Sequence, residues 1–198
     1  MNPGAIATTS FVAGNGPQGR WDRILDGLFH FAGRELAMDD DKYSSASATN
    51  HRNRELVGLL ATRDRAYCDP AVALDLCTRQ SCVAVMGVTL ADGGVNPITR
   101  APVVSREVCH AVLAAMITAG LYETSGDWLH DVGLPGKSGI GGGIVTVSPG
   151  KGGLGTFSPP LDAAGNSAKG QEVARRLSRR LGLDLLGSVP YLPPAAGE

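Results

Sequence analysis

"GLPGKSGIGGGIV", residues 133–145, is the stretch on which the reading of the fold turns. A lysine–serine pair, Lys137 and Ser138, stands ahead of three consecutive glycines, Gly141, Gly142 and Gly143, and an apolar run follows. Glycine weakens a strand interior, so a run of it marks a place where another backbone or a ligand lies close. Ile144, Val145 and Val147, then Pro149 and Gly150, then residues 154–157 predict a β-hairpin. Ile144, Thr146 and Ser148 alternate with Val145 and Val147, which predicts one face packed on helices. Lys137, Ser138 and Gly139 are expected on or just before a strand that pairs antiparallel with 154–157 across the Pro149–Gly150 turn.

Upstream of this stretch the pattern is mainly helical. "AIATTSFVAG" fits a strand or a buried helix equally well. In "RWDRILDGLFHFAGREL", Trp21, Ile24, Leu25, Leu28 and Phe29 fall on one helical face. The acidic "MDDDKYSSASATN" reads as a loop, and Asn50 as the cap of a helix whose Leu56, Leu59 and Leu60 face inward. A helical pattern follows Pro70 and ends at Gly93 and Gly94. Ser105 caps a further helix with Glu107 in its first turn, and "SAKGQEVARRLSRRLGLDLL" is a last helix with a basic outer face. Strands are confined to the C-terminal third.

Bulk composition narrows the partners. With 43% hydrophobic and 19% charged residues, the 198-residue chain can fill a core. A net charge of −1 steers it toward neither nucleic acid nor a membrane surface. No apolar run approaches the length of about 18 residues that a spanning helix needs. "MNPGAIATTS" lacks the basic start and apolar stretch of a signal peptide. Cys68, Cys77, Cys82 and Cys109 show no CxxC spacing and read as reduced thiols of a cytoplasmic protein, with no metal site.

Three motifs compete for chemistry. "GNGPQG", residues 14–19, matches GxGxxG and opens a helix, with Glu35 downstream, but a dinucleotide site needs a preceding strand in a βαβ unit. A glycine-rich loop entering a helix is the simpler reading. "SPGK", residues 148–151, matches SxxK, yet a lysine stacks one turn after a serine only on a helix, and Pro149–Gly150 is a turn pair. "GKSG", residues 136–139, is the third. In serine acyl-transfer enzymes of the penicillin-binding type a Lys-Ser/Thr-Gly strand edges the active site. The lysine there gives positive charge, and a backbone N–H just beyond it can donate to an oxyanion.

"GLPGKSGIGGGI" resembles the signature of the bacterial and mitochondrial glutaminases. "NPGAIATTS", "ATNHRNREL", "ALDLCTRQ", "LADGGVNPIT", "AGLYETSGDWLHDVGLP" and "FSPPLDAAGNSAKG" follow the family's order from residue 2 to residue 170. The resemblance implies an α+β, serine β-lactamase/penicillin-binding-protein-like fold, a helical subdomain plus a partial antiparallel sheet. It implies one domain over 1–187 with a tail at 188–198, no cofactor, L-glutamine as partner, and homo-oligomers. The family hydrolyses L-glutamine to L-glutamate and ammonia through an acyl-serine intermediate. Carried over by position, Asn2 and Asn53 bind substrate. Tyr122 stands near the reacting serine as a proton relay, and Ile140 offers the oxyanion N–H where the family has valine. Lys137 is the lysine of the KSG strand. The glycines are expected to let substrate lie along that strand.

The sequence also departs from the family. The family's SxxK nucleophile pair lies upstream of the "NAGAI" segment at which this chain begins, so the 198 residues are expected to lack it. The Ser-Glu pair before "TNHRN" reads Ser45–Ala46, removing a carboxylate that would face the substrate's ammonium group. Cys77 stands where the family has tyrosine, and "QSCVAVMG" reads as a deletion of about two helical turns. Tyr122, Asn53, Lys137 and the Ile140 N–H are expected to converge, with Ala46 and Cys77 bordering a wider, less polar pocket. Glutamine binding is then millimolar or weaker, about −4 kcal/mol, without turnover. The alternative function is a catalytically inactive remnant that binds ligand or mixes with other subunits.

Overall fold

The computed structural model describes residues 3–81 and 87–188. Contacts divide the chain into two compact units, Met1–Thr89 with Asn96–Val103, and Leu90–Val95 with Val104–Glu198.

The first unit is helical. The ambiguous "AIATTSFVAG" resolves as helix α1, Pro3–Ser10, with the proline at its start, where the missing N–H has no partner to lose. The glycine-rich 14–19 stretch leads into α2, Gly16–Ala32, and what precedes it is a helix, as the simpler reading of GxGxxG requires. Trp21 and Ile24 are buried against Leu76, with Leu25 and Leu28 beside them, whereas Phe29 turns outward. Gly33, at φ 67°, ends α2 by donating its N–H to Phe29 O at 2.8 Å. Buried Asn96 secures that end. Its Nδ2 donates to His30 O at 2.9 Å and Phe31 O at 3.1 Å, and its Oδ1 accepts from Ile98 N and Thr99 N.

The acidic stretch is not a loop. Residues Asp40–Ala48 form α3, with Asp40 and Asp41 in the first turn, where carboxylates complement the helix dipole. Helix α4, His51–Thr62, starts after Asn50 as expected, but Asn50 makes no capping bond with its side chain. Its Nδ2 donates to Thr78 Oγ1 at 3.0 Å on α5, Pro70–Ser81, and its Oδ1 accepts from Asn53 Nδ2. Leu60 is buried and Leu56 half-buried in the α4 contact, while Leu59 is 54% exposed, so only part of the expected stripe faces inward. The expected helix from Pro70 to Gly93 is interrupted: α5 ends at Ser81, residues 82–86 lie outside the described set, and α6 covers Val88–Ala91.

The second unit holds the sheet. Ser105 caps α7, Arg106–Ala119, by accepting from Val108 N at 3.3 Å. A 3-10 turn, Tyr122–Thr124, leads into α8, Ser125–Val132. Three strands follow, β1 Gly136–Gly139, β2 Gly143–Ser148 and β3 Gly152–Phe157, paired antiparallel in the order β1-β2-β3. The hairpin with its Pro149–Gly150 turn is thus as read, and Ser148–Lys151 is that turn, with Lys151 N donating to Ser148 O at 3.0 Å. Lys137 does not pair with the 154–157 segment. It lies opposite Val145 on the separate strand β1.

Gly141 and Gly142 lie in the reversal between the strands, and Gly143 opens β2. In that reversal Gly142 N donates to Gly139 O at 2.9 Å, and Gly142 sits at φ 93°. A Cβ on Gly142 would stand 2.5 Å from Ser158 O, so the close approach is by the chain's own backbone. The predicted one-sided burial of β2 is also corrected. Ile144 packs with Leu121, Trp128, Val132, Leu134 and Ala174, while Val147 packs with Ala91 and Met116. Helix α9, Ala168–Leu181, capped by Ser167, contributes Ala174 to the first of these clusters and carries the basic face expected. Strand β2 is thus covered on both faces, while alternate residues of β1 and β3 are exposed.

Candidate functional site

Strand β1 and the 3-10 turn build the centre of the site. Adjacent residues of a strand point to opposite faces, and Lys137 and Ser138 do so. Lys137 is surface-exposed, and Ser138 is buried. The Lys137 ammonium lies 5.0 Å from the centre of the Tyr122 ring, within cation–π range, and donates to Ser138 O. The protein around the ammonium displaces water and lowers the Lys137 pKa below the ordinary lysine value. A surface side chain with a crowded, partly desolvated end is snorkelling along the protein rather than free in solvent.

Tyr122 is held in a conformation that tyrosine seldom adopts. Its φ is 54°, the left-handed region, which costs about 1–3 kcal/mol for such a residue and persists only when the surroundings over-determine it. Ser125 Oγ donates to Tyr122 O at 2.8 Å and accepts from Leu121 N at 3.0 Å. Gly120, at the end of α7, brings this turn onto β1: Ser138 N donates to Gly120 O at 3.0 Å. A Cβ on Gly120 would fall 1.7 Å from Gly136 O, so only glycine permits the approach.

Ile140 follows directly, in the turn after β1, with its side chain 73% exposed. The loop 162–166 forms a third wall. The Cβ position of Gly165 lies 3.9 Å from the Tyr122 ring and 4.0 Å from Ile140 Cγ1. Asp162 shapes the loop by accepting from Ala164 N at 3.0 Å and Asn166 N at 2.9 Å. Burial pushes the Asp162 carboxyl up, and the hydrogen bonds from Asn166, Gln171, Ala164 and Gly165 outweigh it, leaving the pKa lowered. Tyr122, Lys137 and Ile140 are thus brought together around an open edge. A cavity of about 480 Å³ in the same unit lies elsewhere, between β2–β3 and α9.

A family model described as Glutaminase matches residues 1–186. The chain belongs to the glutaminase family. It is 61% identical to Glutaminase 2 of Yersinia pestis over 198 aligned positions, covering 96% of this chain and 58% of that relative. It superimposes on the solved structure of the probable glutaminase ybaS with a TM-score of 0.89 and 42% identity, covering 94% of this chain and 62% of the other. A Bacillus subtilis glutaminase, YbgJ, solved as a covalent complex with 5-oxo-L-norleucine, matches with a TM-score of 0.89 at 25% identity, covering 93% of this chain and 68% of the other. The chain thus spans about three fifths of the length of the curated relatives it matches. The α+β fold is that of the glutaminases, the serine β-lactamase-like architecture.

The remaining family positions lie in the first unit. Asn53 is half-buried on α4 and donates to Asn50 Oδ1. Ala46 is half-buried on α3. Cys77 is in the core with Ile6, Leu60, Ala73 and Leu74, and burial pushes its thiol pKa up against the lowering effect of the Thr9 hydrogen bond. Asn2 lies outside the described residues. Among the described residues no three His, Cys, Asp or Glu side chains gather into a metal-sized group, Cys68, Cys77 and Cys109 form no disulfide, and no helix is long and apolar enough to cross a membrane. The residues missed in the sequence are Gly165 and Asn166, although "LDAAGNS" carried a signal: an Asp four residues before an Asn, with a glycine between, is a turn that hydrogen-bonds its own backbone.

Proposed function

We propose that this chain is the recognition and oxyanion part of an enzyme that hydrolyses L-glutamine to L-glutamate and ammonia. The observation that carries the reading is the Lys137–Tyr122 pair on the KSG edge, with Ile140 next along the turn. In the reaction a serine oxygen bonds to the side-chain amide carbon, and the C–N bond breaks to release ammonia. Water then cleaves the acyl ester to give glutamate and free serine. The Ile140 N–H donates to the oxyanion of each tetrahedral intermediate. The Tyr122 hydroxyl passes the proton that the leaving nitrogen needs, and Lys137 adds positive charge beside it. By family resemblance, Asn53 and Asn2 are the substrate-binding asparagines.

The attacking serine is assigned to the family's SxxK helix. The only Ser-x-x-Lys in the 198 residues, Ser148–Lys151, is the β2–β3 turn and does not stack a base on a nucleophile. Glutamine chemistry is further supported by the Bacillus subtilis relative, solved as a covalent complex with 5-oxo-L-norleucine, an amino acid that carries its carbonyl at C5 as glutamine does. The same reading has the protein acting in the cytoplasm as a homo-oligomer on a free amino acid, with no nucleic-acid or membrane partner, in keeping with its net charge of −1.

The test has two arms, ammonia release by the 198-residue chain and by a chimera that places the SxxK-bearing portion of the Yersinia relative before Asn2. The chain alone is expected to release none above buffer, and the chimera to reach about 1 per second or more. A folded chimera without activity overturns the reading of this site. Turnover by the chain alone overturns the placement of the nucleophile.

A further inference from the structure

We infer that Asn166 is a positioning residue for this site: its buried carboxamide ties the turn that carries Tyr122 to the strand that carries Lys137. The inference rests on the reading of this edge as the glutamine site. Asn166 is fully buried. Its Oδ1 accepts from Ser138 Oγ at 2.5 Å, and its Nδ2 donates to Thr124 Oγ1 at 2.9 Å. Thr124 Oγ1 spends its own proton on Leu121 O at 2.9 Å, so it must accept from Asn166. That fixes the amide's orientation, with nitrogen toward the turn and oxygen toward the strand. The backbone of Asn166 is locked as well, through its N–H to Asp162 Oδ1 and its carbonyl from Asp162 N at 2.8 Å.

The Nδ2 also reaches Leu121 O at 3.5 Å, so three segments meet at one side chain: β1 at Ser138, the turn at Leu121 and Thr124, and the loop 162–166. Tyr122 lies between the two turn residues held this way, in its left-handed conformation. A Cβ on Gly165, one residue before Asn166, would stand 3.9 Å from the Tyr122 ring and 4.0 Å from Ile140 Cγ1. A carboxamide has both donors and acceptors, so it can hold two hydroxyl groups of fixed, opposite roles. Leucine, although similar in volume, would leave both unpaired. Supporting residues of this kind set a site to within a fraction of an ångström. Asn166 touches no reacting atom.

The experiment uses the isotopically labelled 198-residue chain, its Asn166→Ala, Ser138→Ala and Thr124→Val variants, and Tyr122→Leu as reference. Lys137 lies over a ring, so its terminal CH2 signals are displaced by the ring current, and with four lysines in the chain they can be assigned. Tyr122→Leu defines the signal without the ring. L-glutamine is then titrated while the Ile140 amide is followed. Asn166→Ala is expected to lose at least about half of the displacement and to bind L-glutamine about tenfold more weakly, with each hydroxyl variant losing part of both. A folded Asn166→Ala chain with Lys137 displacement and glutamine affinity within about twofold of the parent overturns the inference. If Asn166→Ala does not fold, the two hydroxyl variants decide by the same criteria. If the parent shows no glutamine response at Ile140, the glutamine reading fails, and the ring-current arm still decides the positioning role.

Discussion

Lys137 and Ser138 stand back to back on β1, the ammonium of one over the Tyr122 ring and the hydroxyl of the other on Asn166. One dipeptide thus serves both the open side of the site and its buried support. The two halves respond differently to substitution.

On the open side, Tyr122→Phe keeps a ring under the ammonium and removes only the hydroxyl. Glutamine binding is expected to stay within about threefold, since the cation–π contact contributes about 0.5–1 kcal/mol at exposed sites and survives. In the chimera the same change is expected to lower kcat by about 100-fold or more, the usual size of a lost proton-transfer group. Ammonia release measured with KM and kcat resolved checks this.

The lowered Lys137 pKa makes an alkaline prediction. The unfolded chain holds this proton to higher pH than the folded chain, so stability rises with pH between the lowered value and the ordinary one of about 10.4. The penalty for the charged form is full below the lowered value and disappears above the ordinary one. Following the Lys137 CH2 signals with pH should place its midpoint below those of the other lysines. The raised thiols of Cys77 and Cys109 act in the opposite sense, so the Lys137 contribution is read as the difference in alkaline slope of unfolding free energy between the parent and Lys137→Met.

Restoring the two altered family positions is expected to have opposite results. Ala46→Glu puts a carboxylate on half-buried α3 and should tighten glutamine binding without restoring turnover, which titration calorimetry checks. Cys77→Tyr instead forces a ring among Ile6, Leu60, Ala73 and Leu74. Such overpacking costs about 1–3 kcal/mol, measurable by denaturant unfolding. Cys77 itself should resist thiol reagents until the chain unfolds, because its burial disfavours the thiolate.

Two serine caps give stability predictions. Ser105→Ala removes the Val108 N acceptor of α7 and should cost about 1 kcal/mol. Ser167 caps α9 through Gly170 N at 3.2 Å and also donates to Ser158 O at 2.9 Å, and it is fully buried. Ser167→Ala should therefore cost more, about 2 kcal/mol, with Ser158 O left unpaired. Thermal unfolding of the two variants should rank them in that order.

What the sequence made legible was local. The hairpin follows from Pro149, Gly150 and alternating apolar residues, and α7 from a serine followed by an acidic first turn, because each signal lies within a few residues of what it determines. Helix α3 has no apolar stripe, so its serines and aspartates looked like a loop, although its aspartates complement the dipole at its N-terminus. Asn50 stood at a cap position but bonds Thr78, 28 residues away. Asn166 bonds Ser138 at a separation of 28 residues and Thr124 at 42, and no local pattern announces such partners. The close approach at Gly142 is not legible within 141–143, because the backbone it must clear, at Ser158, comes from farther along the chain.

Recognition of the glutamine side-chain amide at the KSG edge is measurable by amide-resolved titration of the 198-residue chain. L-glutamine added beyond about 1 mM, the strongest affinity expected here, should shift the Tyr122, Lys137 and Ile140 amide signals together along one saturating curve. L-leucine, which lacks the side-chain amide, should leave them in place. Unmoved signals at these three residues, or equal shifts with both amino acids, would contradict the account.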